Sequence, residues 1–176
     1  MEDTFGRTIT YLRLSVTDLC NYRCRYCMAP EGVEKTAHDA VCSLEELRDM
    51  TAAAVACGVR KVRITGGEPL VRRGIVDLCR MVKEIPGVKE LCLTTNGSLL
   101  GSLALPLREA GVDRLNISLD TLRPDRFRTI TRLGELSQAW EGIEAAEAAG
   151  FSQLKLNCVL MGGINDDEIE DFVNLT

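Results

Sequence analysis

Residues 43–65 of the chain read SLEELRDMTAAAVACGVRKVRIT and carry a clear pair of structural signals. Ser43 followed by Glu46 is a capping-box pattern, which marks the start of a helix, and apolar residues then recur with helical spacing. Gly58 suits the left-handed residue that ends a helix. Residues 59–65 alternate apolar and polar side chains, which is typical of a β-strand. The stretch therefore predicts a helix followed at once by a strand.

The same helix–glycine–strand unit recurs along the chain, where Gly111 and Gly150 also separate a helical pattern from a strand-like run. Alternation of strands and helices predicts an α/β fold with a parallel sheet. The predicted strands are 11–17, 59–65, 90–95, 112–120 and 153–160. The predicted helices are 43–57, 71–85, 99–110 and 137–149, and a further helix starts in 166–176 with Asn165 or Asp166 as its cap.

The strands of this predicted sheet carry different side chains on their two faces. Leu12 and Leu14 alternate with Arg13 and Ser15 in the first strand, and the other strands follow the same rule. Strands of a parallel sheet covered on both faces are almost continuously apolar, so one face is predicted to carry the helices while the other lines a polar space. A partial (β/α) TIM-like barrel of about five parallel strands fits this pattern. The alternative is an open sheet with one solvated face.

Length and composition exclude several classes of protein. The chain has 176 residues, 45% of them hydrophobic, and its formal net charge of -5 argues against a nucleic-acid-binding domain held by positive charge. No apolar run is long enough to span a membrane, and residues 1–10 lack the apolar segment of a secretion signal, so we expect a cytoplasmic protein. Five strands do not close an eight-stranded barrel, so we expect the chain to be the front part of a longer protein.

Residues 18–30, DLCNYRCRYCMAP, place Cys20, Cys24 and Cys27 in one loop with the spacing C-x3-C-x2-C. Three thiolates this close in sequence can bind one metal centre. Zinc sites usually take four protein ligands in paired spacing, and ferredoxin-type [4Fe–4S] sites use four cysteines. Three cysteines on a four-iron cube leave one iron open, as a catalytic centre requires. The other cysteines are scattered and are predicted to pack as small hydrophobic residues: Cys42, Cys57, Cys79, Cys92 and Cys158.

This cysteine pattern resembles the radical S-adenosylmethionine (SAM) superfamily, in which three cysteines hold a [4Fe–4S] cluster and SAM binds the fourth iron. The resemblance implies that Cys20, Cys24 and Cys27 are the cluster ligands and that the fold is a barrel of the radical SAM type. It also implies reductive cleavage of SAM to methionine and a 5′-deoxyadenosyl radical. Residues 65–69, TGGEP, resemble the superfamily element that contacts the SAM amino group, and a carboxylate suits an ammonium ion. Three further positions match SAM contacts of the superfamily: Tyr26, Gly67 and Ser118.

Longer stretches, including LRLSVTDLCNYRCRYCM, LTTNGSLL and DRLNISLDTL, resemble the GTP 3′,8-cyclase family of molybdenum-cofactor synthesis. The resemblance implies abstraction of the C3′ hydrogen of GTP and closure to (8S)-3′,8-cyclo-7,8-dihydroguanosine 5′-triphosphate. Cations on the polar face of the sheet suit a triphosphate, since arginine and lysine make charge-assisted contacts to phosphate oxygens. The positions that match GTP contacts of the family are Arg13, Arg63, Thr94 and Lys155.

The resemblance also implies components beyond these residues. The family carries a second [4Fe–4S] cluster near its C-terminus, which is absent here, so residues 1–176 are interpreted as a radical SAM core domain truncated before the last barrel strands. We expect such a chain to bind the first cluster weakly and not to be a competent cyclase alone. The implied partners are GTP, a reduced flavodoxin or ferredoxin-type electron donor, cyclic pyranopterin monophosphate synthase as the next enzyme, and a second copy in a homodimer.

Three alternatives remain open at this point. The chain can be a radical SAM enzyme that acts on a peptide or another metabolite, an inactive iron–sulfur-binding fragment, or a zinc-binding module.

His38 is expected to be solvent-exposed. Four polar residues on or just after the strands can either line the lumen or only order loops: Asn96, Asn116, Asp120 and Asn157.

Overall fold

The computed structural model of the chain describes residues 2–34 and 40–175, so His38 lies outside the described residues. The centre of the fold is one parallel sheet with strand order β1-β2-β3-β4-β5. The strands are β1 Tyr11–Ser15, β2 Lys61–Thr65, β3 Glu90–Thr95, β4 Arg114–Ser118 and β5 Leu154–Asn157. The helices are α1 Leu44–Ala56, α2 Ile75–Lys83, α3 Leu100–Glu109, α4 Pro124–Thr131, α5 Leu136–Ala148 and α6 Ile169–Val173. Among the described residues, no helix has the length and apolar character needed to cross a membrane.

Helix α1 and strand β2 form the unit that residues 43–65 predict. Ser43 Oγ accepts the Glu46 N–H at 3.1 Å, and the Glu46 carboxylate accepts the Ser43 N–H at 2.7 Å, which completes the capping box. Gly58 follows the helix with a φ of 112°, a conformation that favours glycine. The predicted junction between helix and strand is therefore confirmed.

The helices pack on one face of the sheet. Apolar residues of the central strands, such as Ile64, Leu93 and Ile117, join helix residues such as Leu78 and Leu107 in one buried cluster. Burial of this apolar surface is the dominant favourable contribution to folding. The polar residues of β2 and β4 are half-buried and alternate strictly with buried apolar ones. The alternation and the strand order confirm the predicted α/β fold, with five parallel strands arranged as in a partial barrel.

Two helical segments differ from the sequence-based prediction. The patterns do not predict helix α4, because its sequence PDRFRTIT is mostly polar and only Phe127 and Ile130 bury large apolar side chains. Proline is well tolerated in the first turn of this helix. The predicted helix 71–85 begins only at Ile75, because Pro69–Val71 forms a separate 3-10 turn and Gly74 follows it with a φ of 79°.

Asn165, one of the two predicted caps, has a different role. Its side-chain nitrogen donates to the main-chain oxygen of Asp120 at 2.6 Å and to that of Val159 at 2.9 Å. The helical turn that starts after it has no side-chain cap. Asn165 therefore occupies the predicted cap position, but its side chain joins the loop after β4 to the loop after β5 instead of capping the turn.

The prediction that all five scattered cysteines pack as small hydrophobic residues is wrong in part. Cys79 lies in the core cluster. Cys42 and Cys57 are exposed, because the first lies in the loop before α1 and the second is the C-cap of that helix. Cys92 is buried on the polar face of the sheet, where its Sγ lies 3.2 Å from Oε1 of Glu90.

Candidate functional site

The three clustered cysteines lie in the loop that follows β1, at the carboxyl end of the sheet, which the loops after the other strands share. Cys20 and Cys24 are half-buried, and Cys27 is exposed. Within residues 2–34 and 40–175, no group of three or more His, Cys, Asp or Glu side chains is placed to hold a metal ion. Cysteines bound to separate irons of a cube surround a space instead of converging on one point. The three thiols therefore share one loop at the carboxyl end of the sheet, two of them half-buried and one exposed.

Burial and mutual repulsion oppose ionisation of these thiols in the free chain. Burial raises the pKa of Cys20, and the nearby charges of Glu68 and Cys27 add to the shift. Burial also raises the pKa of Cys24 to about 12, with further contributions from Asp120 and from the other two cysteines. Thiolates gathered in such a place need a positive partner, which an iron–sulfur core supplies. The chemistry of these three side chains therefore fits a metal cluster.

The glycine pair after β2 lies directly against the start of the cysteine loop. Gly67 donates its N–H to the Thr17 carbonyl at 2.7 Å. A Cβ on Gly66 would lie 2.5 Å from that carbonyl oxygen, and a Cβ on Gly67 would lie 2.3 Å from the carbonyl oxygen of Leu19. Only glycine permits so close an approach of two backbone segments. The glycines thus make the contact between two loops, and Gly67 remains exposed at the site.

Glu68, the acidic residue of the TGGEP element, is only 1% exposed. Its Oε1 accepts the Leu70 N–H at 3.0 Å and the Thr95 hydroxyl at 2.7 Å, and its Oε2 accepts the Asn96 N–H at 2.7 Å. Burial raises the pKa of this carboxyl, although the three hydrogen bonds oppose the shift. Both oxygens serve donors of the chain itself, so this carboxylate braces the site where the sequence suggests a contact to an ammonium group.

A second buried glutamate repeats this arrangement at the end of β4. Glu168 accepts the Thr121 hydroxyl at 2.6 Å and the Leu122 N–H at 2.7 Å. Glu68 binds the loop after β3 through the same pair of donors, a threonine hydroxyl and the next N–H along the chain. In both loops the threonine hydroxyl oxygen also accepts the N–H two residues further on. Two adjacent loops at the carboxyl end of the sheet are therefore held by the same set of hydrogen bonds.

Tyr26 connects the cysteine loop to the end of β4. It is 47% exposed, and its hydroxyl donates to Oδ2 of Asp120 at 2.7 Å. Asp120 is buried, and its Oδ1 accepts the Val159 N–H at 2.9 Å. Burial and then the hydrogen bond to Asp120 raise the pKa of Tyr26. Ser118 is the last residue of β4, so the structure brings it to the same end of the sheet as Tyr26 and the cysteines.

The four residues that match nucleotide contacts lie on four different strands of the polar face. Arg13 and Arg63 are register partners on β1 and β2. The Nε of Arg63 donates to the Tyr11 hydroxyl at 2.5 Å, and its Nη1 donates to Oγ1 of Thr94 at 3.2 Å. Lys155 is exposed on the edge strand β5 and is separated from Thr94 by Asn116 of β4, the register partner of both residues. The structure therefore groups Arg13, Arg63 and Thr94 closely and places Lys155 on the other side of β4.

The polar face carries three more charges that the sequence analysis did not single out. Lys61 and Arg114 both face Glu90, with nitrogen-to-oxygen distances of 2.9 Å and 3.4 Å. The hydrogen bond from Lys61 lowers the pKa of Glu90. The alternation that marks Arg63 also marks these positions, since Lys61 lies two residues before it on the same strand.

Two of the polar residues with an undecided role order loops. Asn96 Oδ1 accepts the Ser98 N–H at 3.0 Å, and its Nδ2 donates to Asn21 in the cysteine loop at 2.8 Å. Asp120 binds Tyr26 as described above. Sequence spacing alone does not reveal the contacts of Asn96 with Asn21 and of Asp120 with Tyr26, because each of these two joins residues that are far apart in the chain.

Comparisons with known proteins agree with this geometry. The model of the Radical SAM superfamily matches residues 14–176. A GTP 3′,8-cyclase of Geobacter sulfurreducens is 59% identical, covering 99% of this chain and 53% of that protein. A GTP 3′,8-cyclase of Pseudomonas entomophila is 57% identical, covering 98% of this chain and 52% of that protein. Streptococcus suis SuiB bound to S-adenosylmethionine has a TM-score of 0.75 at 18% identity, covering 93% of this chain and 35% of that one. The chain spans about half the length of the curated relatives it matches.

Proposed function

The chain belongs to the radical SAM superfamily, and from that membership we propose that it forms the SAM-binding core of a GTP 3′,8-cyclase. Two relatives that carry this name share more than half of their aligned residues with it. The proposal rests above all on one observation, which is the meeting of the three-cysteine loop with the Gly66–Gly67 turn at the end of a sheet whose polar face carries cations.

In this proposal Cys20, Cys24 and Cys27 hold a [4Fe–4S] cluster with one open iron. Such a cluster supplies, when bound, the electron that cleaves SAM. Tyr26 presents a half-exposed ring that its hydrogen bond already holds in place, so a flat ligand group can lie against it at little cost in side-chain entropy. Gly67 is exposed and lets a ligand approach the backbone closely.

Ser118 and the inward-facing cations complete the proposed ligand contacts. Ser118 offers a hydroxyl to SAM at the end of β4, while Arg13, Arg63 and Lys155 bind the triphosphate of GTP. The described partners of Arg63 are neutral hydroxyl groups, and none of the ion pairs of the described residues involves it. Its charge is therefore available to a phosphate, with Thr94 beside it as a further hydrogen-bonding group.

The proposal extends to components outside these residues. We take residues 1–176 as the radical SAM core domain and infer a second [4Fe–4S] cluster in the half of the longer relatives that this chain does not span. A reduced flavodoxin or ferredoxin-type protein supplies the electron, and cyclic pyranopterin monophosphate synthase consumes the product. A homodimer and a location in the reducing cytoplasm complete this interpretation.

Anaerobic reconstitution of the chain with iron and sulfide tests the cluster. With iron and sulfide in excess we expect about four irons per chain, as a [4Fe–4S] cluster requires, held weakly enough to be lost to a chelator. Cys24→Ser is expected to abolish most of this uptake, whereas Cys42→Ser, at an exposed cysteine outside the loop, is expected to leave it unchanged. One tightly bound zinc per chain, or iron uptake that survives Cys24→Ser, would overturn the proposal.

Ligand binding then separates the cyclase from other members of the superfamily. SAM is expected to change the electron paramagnetic resonance spectrum of the reduced cluster. Removing the charges of Arg13, Arg63 and Lys155 together is expected to weaken GTP binding. If GTP binding is unchanged in this triple variant, a radical SAM enzyme acting on a peptide or another metabolite is favoured. Turnover of GTP by the 176-residue chain alone would contradict the expectation that it is not competent by itself.

A further inference from the structure

Arg132 has an unusual backbone conformation at the end of helix α4. Its φ is 62°, and it is the one residue other than glycine with a positive φ among residues 2–34 and 40–175. L-amino acids adopt this region only at an energetic cost, so it persists where surrounding contacts hold it. Contacts of the Arg132 side chain are therefore expected to hold this conformation.

The guanidinium group of Arg132 contacts the main chain of the cysteine loop. Its Nη1 donates to the main-chain oxygen of Arg23 at 2.6 Å and to that of Met28 at 3.1 Å. Arg23 directly precedes Cys24, and Met28 directly follows Cys27. One guanidinium therefore spans the two ends of the segment that carries two of the three clustered cysteines.

The backbone around Arg132 forms the rest of the platform for this loop. The carbonyl oxygens of Thr131 and Ile130 accept the N–H groups of Arg23 and Arg25, both at 2.9 Å. The next turn of chain is equally close, since a Cβ on Gly134 would lie 2.7 Å from Cζ of Tyr22. The end of α4 is thus shaped to the cysteine loop over several consecutive residues.

The first part of the cysteine loop is held by Arg23, which lies in the loop itself. The Nη1 of Arg23 donates to the carbonyl oxygens of Cys20 and Tyr22, at 2.6 Å and 2.8 Å. Carbonyl groups in a loop without regular secondary structure need such partners. Arg23 acts within the loop around Cys20, whereas Arg132 connects the Cys24–Cys27 segment to the end of helix α4.

We propose that Arg132 is a positioning residue that holds the Cys24–Cys27 segment in its cluster-binding conformation before iron is present. This inference rests on the proposed function, because the conformation it names is that of cluster ligands. Arg132 acts through the two carbonyl groups that accept hydrogen bonds from its guanidinium. Preorganised ligands bind a metal centre more tightly, since less loop entropy is lost on binding.

The test compares Arg132→Gly with wild type, first without metal. Glycine adopts a positive φ readily, so relief of backbone strain offsets part of the loss of the two hydrogen bonds, and the unfolding midpoint of the variant is measured to confirm that it folds. Hydrogen exchange followed by mass spectrometry is expected to show at least tenfold faster exchange for residues 20–28 and unchanged exchange for the peptides of β3 and α3. Arg128→Gln serves as the matched control, because this exposed arginine of α4 pairs with Glu135 and not with the loop.

Iron loading completes the test. After anaerobic reconstitution, Arg132→Gly is expected to retain at most one third of the wild-type iron, Arg132→Lys an intermediate amount, and Arg128→Gln the wild-type amount. Unchanged exchange of residues 20–28 in Arg132→Gly would overturn the inference, as would full iron loading of that variant. Failure of the wild-type chain to take up iron would instead contradict the proposed function, and the exchange data would still decide whether the brace exists.

Discussion

The hydroxyl of Tyr26 donates a 2.7 Å hydrogen bond to the carboxylate of Asp120, a residue 94 positions further along the chain. The first residue lies between two clustered cysteines, and the second follows β4 and also accepts the Val159 N–H after β5. One buried carboxylate therefore connects the cysteine loop with the ends of two strands. This connection holds the proposed SAM contact Tyr26 at the end of the sheet where β4 places the other proposed contact, Ser118.

Tyr26→Phe keeps the ring and removes this hydrogen bond. We expect the free energy of unfolding to fall by ~1 kcal/mol, the usual net value of one hydrogen bond. In the reconstituted chain we expect SAM affinity to fall about fivefold, because the ring is less well held. Urea unfolding and equilibrium binding of SAM measure the two effects. Adding Asp120→Asn to Tyr26→Phe should weaken SAM binding little further, and fully additive losses would show that the two residues act separately.

Gly67→Ala tests the contact between the glycine pair and the cysteine loop. The new Cβ would lie 2.3 Å from the carbonyl oxygen of Leu19 and 2.6 Å from that of Asp18, and backbone cannot move aside as a side chain does. We expect a loss of ~2 kcal/mol in the free energy of unfolding, as for other overpacked sites. Iron uptake is expected to fall as well, because the displaced residues directly precede Cys20.

Gly101→Ala is the matched control for this substitution. Gly101 lies in helix α3, and apart from the backbone of that helix its Cβ would meet no atom within 4 Å. Alanine stabilises a helix by roughly 0.5–1 kcal/mol relative to glycine, so this variant is expected to unfold at higher urea concentration and to bind iron as wild type does. Equal stability changes for the two variants would contradict the interpretation of Gly67.

Most of this fold can be predicted from the sequence, because the spacing at which hydrophobic residues recur indicates which side chains are buried. Residues 90–95 are predicted as a strand and form β3, and the alternation of Arg63 with Val62 and Ile64 predicts the polar face correctly. Helix α4 is missed because its stability comes from packing of two apolar residues and not from a long periodic pattern. Cys42 and Cys57 are misassigned because they lie in a loop and at a helix C-cap, where the side chains stay exposed.

The chemistry of the candidate site is predictable only where it is local in sequence. The cysteines and the glycine pair follow from spacing, because each motif lies within one loop. The residues that hold these loops in place cannot be predicted from spacing. The contacts of Arg132 with Arg23 and of Glu68 with Asn96 join segments that are distant in the chain. A buried glutamate in a TGGEP motif suggests a ligand contact until the three hydrogen bonds to the chain are seen.

Glu68→Gln tests the buried carboxylate and its pH dependence. The amide nitrogen of glutamine replaces an oxygen that accepts a hydrogen bond, so we expect a loss of ~2 kcal/mol at neutral pH. Burial raises the pKa of Glu68 above its ordinary 4.5, which means that the folded chain binds the proton more readily than the unfolded chain. The part of the Glu68 contribution that depends on proton binding is therefore full below pH 4.5 and is lost as pH rises through the folded pKa.

The measurement for Glu68 is the difference in unfolding free energy between wild type and Glu68→Gln at several pH values. Contributions of all other groups cancel in this difference, because both chains carry them. We expect wild type to exceed the variant by more near pH 4.5 than at pH 7. A difference that grows with pH would show that the hydrogen bonds from Leu70, Thr95 and Asn96 outweigh burial and that the folded pKa lies below the ordinary value.

Arg63→Gln tests the proposed recognition of a triphosphate. Arg63 makes hydrogen bonds to the hydroxyl groups of Tyr11 and Thr94, which are both neutral. These partners do not neutralise the positive charge of Arg63, so this charge is available to a phosphate group. Loss of one charge-assisted contact, worth ~1.5–3 kcal/mol, predicts that GTP affinity falls by about tenfold or more, while guanosine binding is unaffected. Arg80→Gln is the control, because Arg80 is an exposed residue of α2 that pairs with Asp77. Equilibrium dialysis of GTP and guanosine at two salt concentrations separates the cases, since contacts to phosphate weaken with salt. Equal GTP affinity in wild type and Arg63→Gln would mean that the polar face binds a substrate without a triphosphate.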